Sequence, residues 1–100
     1  MMIKNINISL NQFVAQVEGN IVSNMGNEKV MLSVKNGKYY NLGEIGGVIW
    51  DLIEKRTEVN ELVSTLLTIY DVEMSVCVDH VISFLEPLLE EGLIELSDKL

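Results

Sequence analysis

Cysteine, proline, histidine and tryptophan each occur once in this 100-residue chain, at Cys77, Pro87, His80 and Trp50. One cysteine excludes an internal disulfide and any all-cysteine zinc site, and nothing then points to an oxidising compartment; a cytoplasmic location is expected. One histidine leaves a metal centre to be completed by carboxylates such as Glu73 and Asp79, which follow no known ligand spacing, so no metal or other cofactor is expected. No apolar run is long enough to span a bilayer. Residues 1–10 alternate Ile with Asn where an export signal would place a basic segment before an apolar block, so neither membrane insertion nor export is expected. Positive charge is scarce as well: 7 Lys and Arg stand against 15 Asp and Glu, a formal net charge of -8. The average field of such a chain repels a phosphate backbone, and nucleic acid is not an expected partner.

The residues that remain suit an ordinary globular domain, since 48% are hydrophobic and 22% charged. The length allows a single small core and excludes a large multi-domain enzyme. Ile6, Ile8 and Leu10 alternate with polar residues, the period of a half-buried strand or extended arm. Residues 13–18 fit neither the strand nor the helix period, and Gly19 breaks them. We divide the chain there, with an N-terminal arm over residues 1–18 and the domain over residues 19–97. Gly26-Asn27 and Asn36-Gly37 lie between short apolar runs and predict two tight turns. They join a three-stranded antiparallel meander over residues 21–24, 29–35 and 38–42.

Beyond Leu42 the period becomes helical. Ile45, Val48, Ile49, Leu52 and Ile53 form one stripe on a helix predicted to end near Lys55 or Arg56, cations that suit its C-terminal dipole. Thr57 is the expected N-cap of a second helix carrying Val59, Leu62, Val63, Leu66, Leu67 and Tyr70, with Glu58 and Glu61 in its first turn. A third helix begins between Glu73 and Ser75 and stops at Gly92, and residues 93–96 are a candidate short terminal strand. Pro87 falls inside that helix, where it removes a hydrogen bond and crowds the Ser83 carbonyl, so a bend is expected. The sum is an α+β, winged-helix-like domain: a meander, three helices and a possible terminal strand.

That shape hosts many transcription factors, and a winged-helix regulator or dimerisation module is the alternative reading. A recognition helix needs Arg, Lys, Asn or Gln on its exposed face, yet residues 57–98 hold no Lys or Arg. Enzyme readings have little to stand on. Cys77 and His80 are spaced like a nucleophile and base, but no orienting group or oxyanion-hole loop accompanies them. Cys77 reads as a small buried apolar residue and His80 as a solvent-facing one. Gly43, Gly46 and Gly47 lack the Lys-Ser/Thr that a phosphate loop requires, so close packing explains them better. Trp50 belongs to the core.

Two features stand above this background. Apolar residues at 76, 77, 78, 81, 82, 84, 85, 88 and 89 make a band on the third helix broader than one small core needs. The strand over residues 38–42 is the last of its meander, so its outer N–H and C=O groups lack partners unless another segment covers them. An exposed edge beside an apolar helix accepts an extended peptide, and it is also where two copies of the chain would pair. The competing reading is that residues 6–10 cover the edge and the broad band is simply core.

The run Gly37-Lys38-Tyr39-Tyr40-Asn41-Leu42, then Ile45-Gly46 and Ile49-Trp50-Asp51-Leu52, resembles the PqqD-like family, the RiPP recognition elements. Thr57, Val59 and Leu62, then Tyr70-Asp71-Val72, Val81, Phe84-Leu85, Leu88 and Glu91-Gly92-Leu93-Ile94 extend the likeness from about Ile8 to Leu96. Ile8-Ser9-Leu10, Gly19 and Cys77 are most similar to the stand-alone members of lasso-peptide gene clusters. The resemblance implies a non-catalytic protein that binds the leader segment of a ribosomally made precursor peptide and presents it to a leader peptidase and a macrolactam-forming cyclase. It implies that the leader adds as a strand along Lys38, Tyr39, Tyr40, Asn41 and Leu42. The helix wall would come from Val78, Val81, Ile82 and Phe84, with Lys35 and Lys38 meeting acidic leader residues at the rim. Two positions depart from the family's pattern. Gly43 replaces an Asn, so the first helix is expected to be capped by backbone alone. A kink at Pro87 would tilt residues 78–84 against the edge.

Overall fold

The computed structural model describes residues 8–98. In chain order the elements are β1 (Phe13–Gln16), β2 (Asn20–Met25), β3 (Glu28–Ser33), β4 (Lys38–Leu42), α1 (Gly43–Leu52), β5 (Thr57–Glu58), α2 (Val59–Ile69), α3 (Met74–Glu90) and β6 (Ile94–Ser97). The α+β, winged-helix-like architecture expected from the sequence is the one observed, with two antiparallel sheets ordered β2-β3-β4 and β5-β1-β6.

The meander follows its turn residues. Gly26, at φ +68, is followed by Asn27 at negative φ, the signature of a type II′ turn whose twist matches the flanking strands. At the second turn Gly37 alone takes the left-handed conformation, and its N–H donates to the Ser33 carbonyl at 2.8 Å. Asn36 stays out of that region and spends its side chain on tertiary bonds, donating from Nδ2 to the Tyr40 hydroxyl (3.2 Å) and the Glu91 carbonyl (3.0 Å).

The second sheet was only partly foreseen. Residues 13–16, which fit no single period, form its central strand, because β1 is bonded on both sides and buries Val14 and Ala15. Residues 8–18, set apart on sequence as an arm, are thus packed into the domain, with Ile8 also in the core. The part of the predicted extended segment before Ile8 lies outside the described residues. The terminal strand forms as β6 over Ile94–Ser97 and pairs with β1, not with the meander.

α1 ends at Leu52, short of Lys55 and Arg56, so neither cation lies in its last turn. Pairing of β5 with β1 draws the chain away, and the Thr57 hydroxyl donates to the carbonyls of Leu52 (3.1 Å) and Lys55 (2.7 Å), closing that corner. Thr57 is therefore not the cap of α2; Glu58 holds that position without a side-chain hydrogen bond. The Val59 and Asn60 N–H groups donate instead to the backbone carbonyls of Gln12 (2.9 Å) and Leu10 (3.0 Å). The missing side-chain cap, worth about 1 kcal/mol, is outweighed by burial of Val59, Leu62, Val63 and Leu66, each contributing roughly 1.5–3 kcal/mol.

α3 runs on through Pro87 to Glu90, so the helix is not broken there; only three residues remain after the proline. Its end is a Schellman motif, with Gly92 at φ +76, its N–H donating to the Leu89 carbonyl (3.1 Å) and the Leu93 N–H to the Leu88 carbonyl (2.9 Å). The core joins Met31 and Leu42 of the meander to Ile49, Trp50, Ile53, the α2 stripe, and Cys77, Val81, Leu85 and Leu88 of α3.

Candidate functional site

Because β6 pairs with β1, the outer edge of β4 has no strand beside it among the described residues. Strand alternation sorts β4 into two faces. Leu42 is buried, Tyr40 half-buried, and Lys38 reaches toward α3, whereas Tyr39 (76% exposed) and Asn41 face away. In such a strand every second residue turns its N–H and C=O outward, so the edge offers a short ladder of unsatisfied groups.

Beside that edge lies a cleft of about 490 Å³ between the end of β4, the start of α1 and the exposed face of α3. Leu42, Gly43, Glu44, Ile45, Gly46, Ile49, His80, Ser83 and Phe84 line it. It is large enough for a few side chains and has the mixed apolar and polar lining of a binding groove. A second recess of about 270 Å³, lined by Val76, Asp79, His80 and Ser83, continues it along α3. Val76 is 48% exposed, so the apolar band of α3 is indeed not fully covered.

Local sequence shapes this wall. A Cβ on Gly46 would stand 2.5 Å from Phe84 Cε1, and one on Gly47 would stand 2.8 Å from Lys29 Cβ. Two bare positions in succession thus let α1 sit against α3 on one side and β3 on the other. Lys29 Nζ locks the second contact by donating to both Asp51 carboxylate oxygens, at 2.9 and 3.0 Å. As expected, no side chain caps α1 at its N-cap residue Leu42; one residue earlier, Asn41 Oδ1 accepts from the Gly43 N–H at 2.9 Å and fixes the turn into the helix.

At the other end of β4, Glu91 Oε1 accepts from the Tyr40 hydroxyl (2.8 Å) and lies 3.4 Å from Lys38 Nζ. The Tyr40 hydrogen bond, with Lys38 second, holds the Glu91 carboxyl below the usual glutamate range. This cluster ties the start of β4 to the end of α3.

The structure gathers part of the sequence-predicted site. Leu42 and Phe84 meet at the cleft, Tyr40 lies on the same face of β4 but turns its hydroxyl to Glu91, and Tyr39 and Asn41 face away. Val81 is fully buried beneath the wall. Val78 and Ile82 are half-buried and lie about half a turn of α3 away from His80. The two lysines do not form a joint rim: Lys38 is engaged with Glu91, and Lys35 lines a separate recess with Glu18, Asn20 and Gly92. Ile45, Gly46, His80 and Ser83 line the cleft as well, beyond the residues expected from the sequence. The 76, 80, 83, 84 spacing on α3 is the available signal, masked by the more apolar 77, 81, 85, 88 stripe that faces the core.

Cys77 is buried, and burial pushes its thiol pKa up, the reverse of what a nucleophile needs. Among the described residues no group of three or more His, Cys, Asp or Glu side chains is placed to hold a metal ion.

Comparison with known proteins adds two findings. The family model for coenzyme PQQ synthesis protein D (PqqD) matches residues 28–94, from β3 to the start of β6. Among solved structures, TbiB1 in complex with the TbiA(beta) leader peptide is similar with a TM-score of 0.73 and 25% identity, covering 81% of this chain and 94% of that one. No curated protein matches the chain.

Proposed function

The chain belongs to the PqqD family, and from that premise we propose that it captures the leader segment of a ribosomally made precursor peptide by strand addition to β4. The observation that carries this reading is the outer edge of β4, unpaired among the described residues, alongside the cleft lined by Leu42, Ile45 and Phe84. A guest strand gains main-chain hydrogen bonds from the edge and turns alternate side chains into the cleft. The likeness to TbiB1, solved with a leader peptide, supports the same role.

The protein performs no bond chemistry in this reading. Holding the leader raises the local concentration of the attached core peptide at a modifying enzyme, and a leader peptidase and a macrolactam-forming cyclase of a lasso-peptide pathway are the proposed recipients. Pairing of two copies through β4 would compete with the leader for the same groups. The cytoplasm is the proposed setting; no helix among the described residues is long and apolar enough to cross a membrane. The anionic surface of α3 argues against the regulator alternative.

An amide-resonance titration with the leader of a precursor encoded beside the gene tests the proposal. Shifts and new protection from hydrogen exchange are expected at alternate residues of Lys38–Leu42, with further shifts at Ile45, His80 and Phe84. Proline at Tyr39 and at Tyr40 provides the complement. One of the two removes an N–H facing β3 and damages the hairpin. The other removes an outward N–H and leaves a folded protein whose leader affinity falls about three- to tenfold. Leader binding that bypasses β4, or a folded proline variant with full affinity, refutes strand addition.

A further inference from the structure

The cleft's charge specifies its guest more narrowly than its shape does. Glu44 lines the cleft together with His80 and Ser83, and Asp79 shares the adjoining recess with the same two residues. Both carboxylates are exposed, and among the described residues neither has a hydrogen-bonding or ion-pairing partner from its side chain. The nearby cations are committed elsewhere: Lys29 to Asp51, Lys38 to Glu91. α3 carries no Lys or Arg, and the whole chain has a net charge of -8. The end of the groove nearest the start of α1 is thus an anionic, partly apolar trough, while the Glu91 end is internally neutralised.

Resting on the leader-binding reading, we propose that the captured segment is basic. A Lys or Arg of the guest strand lies against Glu44 and Asp79, neighbouring on the same face the apolar side chain that enters between Leu42, Ile45 and Phe84. The long aliphatic stem of such a residue covers Val76 while its charged head remains at the carboxylates. An acidic residue at that position is rejected by the same field. The apolar anchor supplies most of the affinity. The carboxylates supply register and speed of capture, because complementary charge fixes orientation and raises the association rate more than it deepens binding.

The test uses random peptides displayed on phage and selected on the immobilised chain, followed by titration of the enriched sequences as free synthetic peptides. Enriched peptides are expected to carry Lys or Arg beside an apolar residue and to bind less tightly as salt increases. The Glu44→Gln/Asp79→Asn variant, altered only at exposed positions, is expected to lose about two- to fivefold in affinity per carboxylate for a basic peptide. It should lose nothing for the same peptide with Lys replaced by Gln. Peptides that shift the β4 amides but show no basic preference, or a preference that persists in the double variant, overturn this inference alone. Failure of every peptide to perturb β4 overturns the leader-binding reading beneath it as well.

Discussion

Gly46→Ala separates the cleft from the fold. The new Cβ would lie 2.5 Å from Phe84 Cε1, against an ordinary carbon–carbon contact of about 3.5–4.0 Å, so the ring must retreat by about 1 Å. Toward the core it is backed by the buried cluster that includes Ile49 and Val81; outward it finds the open cleft of about 490 Å³. The ring therefore moves into the groove. Alanine gains about 1 kcal/mol over glycine in a helix, and a ring free to swing holds the overpacking cost near the lower end of about 1–3 kcal/mol. The terms nearly cancel, and the melting temperature should move by no more than about 4–8 °C. Affinity behaves differently. If the ring takes half the space of an apolar anchor, about 1 kcal/mol of its burial is lost, roughly fivefold in Kd. Gly47→Ala is the control, because its Cβ meets Lys29 Cβ at 2.8 Å, an atom fixed to the β3 backbone. Helix and strand must then separate, lowering stability by about 1–2 kcal/mol, with no side chain driven into the cleft. Thermal melts with leader titrations by calorimetry read both quantities. Full leader affinity in a stable Gly46→Ala protein refutes the claim that Phe84 shapes the guest's pocket.

Two further outcomes follow from the titratable groups. Glu91 has a depressed folded pKa, so its contribution to stability is present above the unfolded glutamate value and is lost as pH falls through the lower folded one; Tyr40→Phe should raise its NMR titration midpoint, and an unmoved midpoint would deny the hydroxyl its role. Cys77, buried with a raised pKa, should react slowly with thiol reagents until denaturant is added, and rapid labelling of the native protein would revive a nucleophilic role.

The meander and the helices were legible because their signals are local. Gly26 and Gly37 mark turns, the i, i+3, i+4 stripes mark helices, and Gly92 marks the end of α3. The second sheet was less legible because its strands are short and become strands only through partners distant in sequence. Val14 meets Thr57 on one side and Leu96 on the other, and no window around residue 14 contains either. Thr57 failed as an N-cap for the same reason: backbone carbonyls of Leu10 and Gln12 took the bonds that a local rule assigns to a hydroxyl. Around the cleft, the strand β4 could be read directly, whereas the α3 residues that line the cleft could not. Hydrophobicity selects the side of α3 that faces the core, so the sequence points to Val81, which is buried, and away from His80, which lines the cleft.

The position of β6 connects these observations. A terminal strand that had joined the meander would have satisfied the β4 edge and left nothing for a guest to bond. By pairing with β1, β6 leaves β4 open among the described residues and completes a separate sheet with β1 and β5 against the same core. Under the proposed strand addition the edge supplies affinity without regard to sequence, since every peptide has the same main chain, and discrimination must come from side chains on the cleft walls. Those walls combine buried residues that fix their shape, such as Ile49 and Leu42, with exposed residues that the core does not require, namely Glu44, Asp79, His80 and Ser83. Substitution within the second group should redirect which leader is held while leaving the thermal stability within about 0.5 kcal/mol per site.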